Sequence, residues 1–186
     1  MKMKICLVTK NFGKVMAAEC VFDKYGIEIV GSQKDYPEIQ AETSLEIARF
    51  TAVQAAKDMN FPTIREDHSL FIHALNIPGP YTHYIESRIL ANKLLELLNF
   101  LGDNTGHFEV ATVLAYPNGE IFEYVFQVPI TFGKEIKGKD SKSWDGLIRL
   151  FNEKRAIAEY PEEERLYIWS QGYEKVAEYI LSKHKK

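Results

Sequence analysis

The chain has 186 residues, 46% hydrophobic and 12% aromatic, with a net charge of −3. That much apolar material excludes a disordered chain. No uninterrupted apolar run exceeds four residues, far short of the roughly 20 that a membrane-spanning helix needs. A mildly acidic chain is not built around a basic nucleic-acid face, so neither a stable nucleic-acid complex nor membrane association is expected. Met1-Lys2-Met3-Lys4 runs straight into Ile5–Val8 without a secretory leader, and Cys6 and Cys20 lie in apolar contexts. Both points predict a cytoplasmic protein whose two thiols are buried and reduced.

Helix and strand signals interleave along the chain with no linker between them, which predicts an α/β (mixed α+β) domain over 1–186. Ile5–Val8 reads as a buried strand, Val15 to about Tyr25 as a helix ended by Gly26, and Ile27–Val30 as a second strand. Thr43-x-x-Glu46 is a capping box opening a helix with Leu45, Ala48, Ala52, Ala55 and Met59 on its apolar face. Short strands at Thr63–Arg65 and Leu70–Ile72 are expected to flank Glu66-Asp67-His68, followed by a rigid turn at Ile77–Tyr81. Leu90, Leu94, Leu97, Leu98 and Leu101 make a helical stripe. Alternation over Phe108–Tyr116 and Phe122–Ile130, with Pro117-Asn118-Gly119 between, predicts a hairpin that forms a second lobe beside a substrate cleft. Tyr173, Val176 and Ile180 mark a C-terminal helix over Gly172–His184, and Glu162–Glu164 read as a charged first helical turn.

Four segments carry residues suited to chemistry. Thr9-Lys10-Asn11-Phe12-Gly13-Lys14 is a strand-to-helix loop, where backbone N–H groups and Lys14 would receive an anion. In isolation such a loop is more often a plain surface turn. Glu38 and Asp67 would supply the one or two carboxylates of a magnesium site if the fold brings them together. Spacing alone does not choose between Glu66 and Asp67, and on an extended segment only one of the two faces a cleft. Trp144-Asp145 offers a stacking face and an acceptor to a nucleobase, or simply core packing. The five histidines show no zinc spacing, and no nucleophile elbow or dinucleotide loop is present.

Together the blocks Val8–Lys14, Tyr36-Pro37-Glu38-Ile39-Gln40, Glu66–Leu75, Pro78-Gly79-Pro80-Tyr81, Trp144-Asp145 and Ala158–Pro161 resemble, in order and spacing, the inosine triphosphate pyrophosphatase family. The resemblance covers nearly the whole chain. It implies two lobes around a long mixed sheet flanked by helices, a substrate cleft between the lobes, and a homodimer. It also implies magnesium-dependent hydrolysis of inosine, deoxyinosine or xanthosine triphosphate to monophosphate and pyrophosphate. On this reading Thr9, Lys10, Asn11, Gly13 and Lys14 bind the triphosphate, and His68, Trp144, Asp145 and Arg165 complete the substrate site. Glu38 and Asp67 hold Mg2+, and Asp67 also orients or deprotonates the attacking water.

The departures fall mainly on base recognition. Lys10 replaces a glycine, and His68-Ser69 replaces Ser-Gly or Thr-Gly. Phe50, beside Arg49, stands where a phosphate-binding lysine is usual, and Lys142-Ser143 stands where an aromatic stacks on the base. Arg165 replaces a lysine, and Trp169-Ser170-Gln171 replaces Ser-His-Arg. The first reading is therefore a nucleoside triphosphate pyrophosphohydrolase with altered base preference. The alternative is a nucleotide-binding or regulatory homologue with little turnover.

Overall fold

Both faces of the first strand are apolar. In β1 (Met3–Val8), Ile5 and Leu7 point one way and Cys6 and Val8 the other, and all four are buried. Such a strand needs helices on both sides. The computed structural model, which describes residues 3–37, 39–138, 143–151 and 153–184, places them there. Along the chain, β1 is followed by α1 (Phe12–Phe22), β2 (Ile27–Ser32), α2 (Ser44–Met59), β3 (Thr63–Ile72), β4 (Ile77–Gly79), α3 (Thr82–Glu86) and α4 (Ala91–Leu101). Then come β5 (Thr105–Ala115), β6 (Ile121–Phe132), β7 (Ile148–Leu150), α5 (Glu162–Trp169) and α6 (Gln171–His184). The strands form one mixed sheet in the order β2-β1-β3-β5-β6-β7, with β4 paired to β3. β1 runs parallel to β2, Met3 opposite Ile27, and parallel to β3, Cys6 opposite Thr63. β3–β4 and β6–β7 are antiparallel.

The chain divides into two units. The first comprises Met1–Asp67, Val110–Phe126 and Leu166–Lys186. On one face of its sheet, Ile5, Leu7, Ile64 and Leu114 pack with Ala17, Val21 and Phe22 of α1 and Tyr173, Val176 and Ile180 of α6. On the other face, Ala48, Ala52 and Ala56 of α2 pack on Ala111, Val113 and Ala115 of β5. Alanine at these α2 positions lets the helix approach the sheet closely. Cys6 and Val8 meet Ala55 on that same side. Cys6 is buried, which pushes its thiol up, but Cys20 is only partly so, contrary to expectation.

The second unit comprises His68–Glu109 and Gln127–Arg165. In it Trp144 is 1% exposed, and its indole N–H donates to the Ile89 carbonyl at 2.7 Å. Glu86 accepts from the Trp144 backbone N–H at 2.8 Å, and buried Arg149 donates to the carbonyls of Gly146 and Glu135. The expected hairpin is present, but its tip belongs to the first unit rather than forming a lobe of its own. Its loop is three residues long: Tyr116 N–H donates to the Glu120 carbonyl at 2.8 Å, and Gly119 takes φ 90°.

Three elements differ from the sequence reading. α1 begins at Phe12 rather than Val15, because Asn11 caps it. The two expected short strands are one continuous strand, β3, running through Glu66-Asp67-His68. The expected turn at Ile77–Tyr81 contains β4, which tolerates Pro78 because it is a three-residue strand off the main path of the sheet. No described helix is long and apolar enough to cross a membrane.

Phe22 is fully buried and tilted against Tyr173 with ring centroids 6.2 Å apart. Phe22→Ala should cost about 3–5 kcal/mol of unfolding free energy. Phe100, 86% exposed, should lose less than about 0.5 kcal/mol on the same change. Urea denaturation of the two variants checks the contrast.

Candidate active site

The loop after β1 is organised by Asn11. Its side-chain oxygen accepts from the backbone N–H of Gly13 at 2.9 Å and of Lys14 at 3.4 Å. Its own N–H donates to the Thr9 hydroxyl at 3.1 Å, and the Thr9 N–H donates to the Ser32 carbonyl at 3.0 Å. Asn11 therefore occupies two of the helix N–H groups that the sequence reading left open to an anion. Gly13 suits the cap, because a Cβ there would lie 3.2 Å from the Asn11 oxygen. No acidic residue stands in the first turn of α1, so its positive end is uncompensated by a side chain within the helix. Lys10 is held outside this arrangement by an exposed ion pair with Asp35.

Lys14, in that same turn, reaches β3. Its ammonium donates to the Glu66 backbone carbonyl at 3.1 Å and lies 3.5 Å from the Glu66 carboxylate. Glu66 is 2% exposed. Because β3 is extended, Glu66 shares the face of Ile64, towards α1 and α6, while Asp67 falls on the opposite face with Arg65. Asp67 is half-buried. Arg65 donates to the Val8 carbonyl at 3.1 Å, tying β3 to the end of β1. Tyr173 of α6 completes the Glu66 side: burial first, and then the Glu66 charge, push its phenol well above the usual tyrosine range. Thr9, Asn11, Gly13, Lys14, Glu66 and Asp67 thus gather at the carboxyl ends of β1 and the first half of β3.

The other expected residues lie elsewhere. Glu38 and Lys142 fall outside the described residues. His68 is half-buried in β3. Asp145 and Arg165 face each other at 4.0 Å in the second unit, where Arg165 also donates to the Tyr160 carbonyl at 3.1 Å. Trp144 is corrected from a stacking candidate to a packing residue, since its ring is buried and its N–H is used internally. Arg49 is held by a two-point ion pair with Glu123, and Phe50 is half-buried. Gln171 donates to the Tyr124 hydroxyl at 2.8 Å.

Sequence reading missed two features. In the sequence Tyr173 carries only the signal of an apolar helix residue. His73 and His107 are in contact, Nε2 to Nδ1 at 2.9 Å, although 34 residues separate them. Only strand pairing reveals that contact. Burial, and then His73, hold His107 below its ordinary value. Among the described residues, no three histidine, cysteine or acidic side chains cluster as a metal cage.

Comparison with known proteins identifies the family and agrees with the fold. The model of the Ham1 family matches residues 5–172. A protein of Methanopyrus kandleri named dITP/XTP pyrophosphatase is 32% identical over 89% of this chain and 89% of its own. Its namesake in Methanothermobacter marburgensis is 32% identical over 98% of each chain. Among solved structures, a HAM1 protein from Coxiella burnetii superposes with a TM-score of 0.78 at 22% identity, covering 97% of this chain and 99% of that one. The Staphylococcus aureus Ham1 protein gives 0.75 at 22%, covering 98% and 100%. At such identity the two structures speak for the fold.

The Tyr173 environment has a pH consequence. A phenol whose folded pKa lies above its unfolded value of 10.0 contributes stability that is whole below that value and lost as pH rises beyond it. Between about pH 9 and about pH 11, the urea midpoint should fall more steeply for the parent than for Tyr173→Phe. Equal slopes would mean that Tyr173 ionises freely in the folded protein.

Proposed function

The chain belongs to the Ham1 family, and from that premise we propose that it is a nucleoside triphosphate pyrophosphatase acting on non-canonical purine nucleotides of the dITP and XTP kind. The supporting observation is the joining of Lys14, at the positive end of α1, to Glu66 of β3, the residue before Asp67. An ammonium has three donors, and the backbone carbonyl and carboxylate of Glu66 use at most two. The remaining donor suits a phosphate oxygen, with Thr9 and the Asn11 amide as further polar partners. Water attacks the α-phosphorus, its oxygen stays with the nucleoside monophosphate, and pyrophosphate departs. Asp67 takes the proton of that water.

Asp67 fits magnesium by the chemistry of its donor: a partly exposed carboxylate beside a phosphate site is the kind of oxygen ligand this ion takes, the rest coming from water and phosphates. Glu38 is proposed as the second carboxylate. When bound, the ion neutralises phosphate charge and fixes the leaving group. A cytoplasmic homodimer is proposed, and His68, next to Asp67 on β3, is proposed to contribute to the rest of the substrate site.

Incubation with dITP, XTP, ITP and ATP in magnesium, with separate detection of pyrophosphate and orthophosphate, tests the reading. Pyrophosphate should be the first product, and excess chelator should abolish turnover. With Ser170-Gln171 in place of a cationic pair, the kcat/KM preference for ITP over ATP should be modest, below about a hundredfold. Orthophosphate as the first product would overturn the reaction assignment. Nucleotide binding without turnover would favour the alternative of a regulatory homologue.

A further inference from the structure

Outside the nucleotide site, the second unit carries a hydrogen-bonded chain of four side chains at the paired ends of β3 and β5. His73 follows β3 directly, and its backbone N–H donates to the Thr105 carbonyl at 3.0 Å. The Thr105 hydroxyl donates to the Asp103 carboxylate at 2.7 Å, which also accepts the Thr105 backbone N–H at 2.9 Å. A carboxylate only accepts, so the Thr105 oxygen is left to accept from His73 Nδ1, 2.9 Å away. That fixes the His73 tautomer: the proton is on Nδ1, and the Nε2 lone pair accepts from His107 Nδ1–H. Nε2 meets His107 Nδ1 at 2.9 Å. The His107 ring is itself seated by stacking on Phe71, with centroids 5.1 Å apart and planes 13° apart.

A metal-ligating histidine is held in the same way: one ring nitrogen is anchored through a hydroxyl to a carboxylate, which leaves the other without a proton. We propose that His73 Nε2 and His107 Nδ1 form a two-imidazole site for a divalent late transition-metal ion of the nickel or copper(II) class, completed by water. Ligand bonds of about 2.0–2.1 Å at a right angle put two nitrogens about 2.9 Å apart, so two imidazoles already in hydrogen-bond contact at 2.9 Å lie within reach of one shared ion. Square-planar and tetragonal ions take ligands at right angles. Binding needs each ring to turn its lone pair toward the shared ion. It also moves the His107 proton from Nδ1 to Nε2, so two neutral imidazoles bind with no net proton released. The site shares no residue with the proposed nucleotide site.

The test titrates the full chain with NiCl2, without nucleotide or magnesium, by calorimetry and by NMR of the imidazole signals. The parent should bind one Ni2+ with micromolar affinity, broadening the His73 and His107 signals before those of the other histidines. His73→Gln and His107→Gln should each weaken binding at least about tenfold, and exposed His83→Gln should leave it unchanged. Thr105→Val keeps both imidazoles but removes the anchor, and should weaken binding by about tenfold or more. Unchanged affinity in the His73→Gln/His107→Gln double variant would overturn the site. So would parental binding no tighter than millimolar, or other histidines broadening first. The NMR measurement uses the parent alone, so misfolding of a variant does not rescue or sink the proposal.

Discussion

A carboxylate with 2% exposure cannot hold a charge without a partner. Glu66 finds that partner in Lys14, and meeting this requirement fixes much of the first unit. Lys14 must stand one turn into α1, so α1 must start directly after β1, and β3 must lie beside β1 for the ammonium to reach both Glu66 oxygens. Asn11 sets the start of the helix, and Arg65 secures β3 to the Val8 carbonyl. Tyr173 brings α6 onto the same group. Losing the Glu66 charge would therefore disturb the junction of two strands and two helices rather than one surface contact.

The same strand separates structure from chemistry. Alternation along β3 sends Glu66 inward to α1 and α6 and Asp67 to the other face, so adjacent carboxylates meet different surroundings. On the proposed assignment, Glu66 holds Lys14 in place and Asp67 serves the metal and the water. The pairing of a helix N-terminus with a lysine suits phosphate without covalent chemistry from the protein, since phosphoryl-type displacement depends on positioning and charge.

Much of the fold was legible because its signals are local. The Thr43–Glu46 capping box, the α6 stripe and the alternating β5–β6 hairpin each follow from periodicity or a cap within a few residues. The start of α1 was misplaced because its third helical position is Lys14 rather than the glutamate of a capping box. β3 was broken in two because Arg65-Glu66-Asp67-His68 reads as a polar loop. It stays extended because its charges find partners that are remote in sequence, Glu66 on Lys14 and Arg65 on Val8. Trp144 looked equally able to stack or to pack, and only its burial and its bond to Ile89 decide. The nucleotide-site residues were found by their order along the chain, whereas His73 and His107 carry no spacing signal at all.

The most direct measurement takes turnover of dITP and melting temperature together on Asp67→Asn and Glu66→Gln. If the two carboxylates divide as proposed, Asp67→Asn loses a hundredfold or more in kcat, about the scale of a general base, with its melting temperature unchanged or slightly raised. Glu66→Gln should instead melt several degrees lower, since it leaves Lys14 without its charged partner, and should lose much less turnover. Near-normal turnover in Asp67→Asn with abolished turnover in a fully folded Glu66→Gln would contradict that division and make Glu66 the reacting carboxylate.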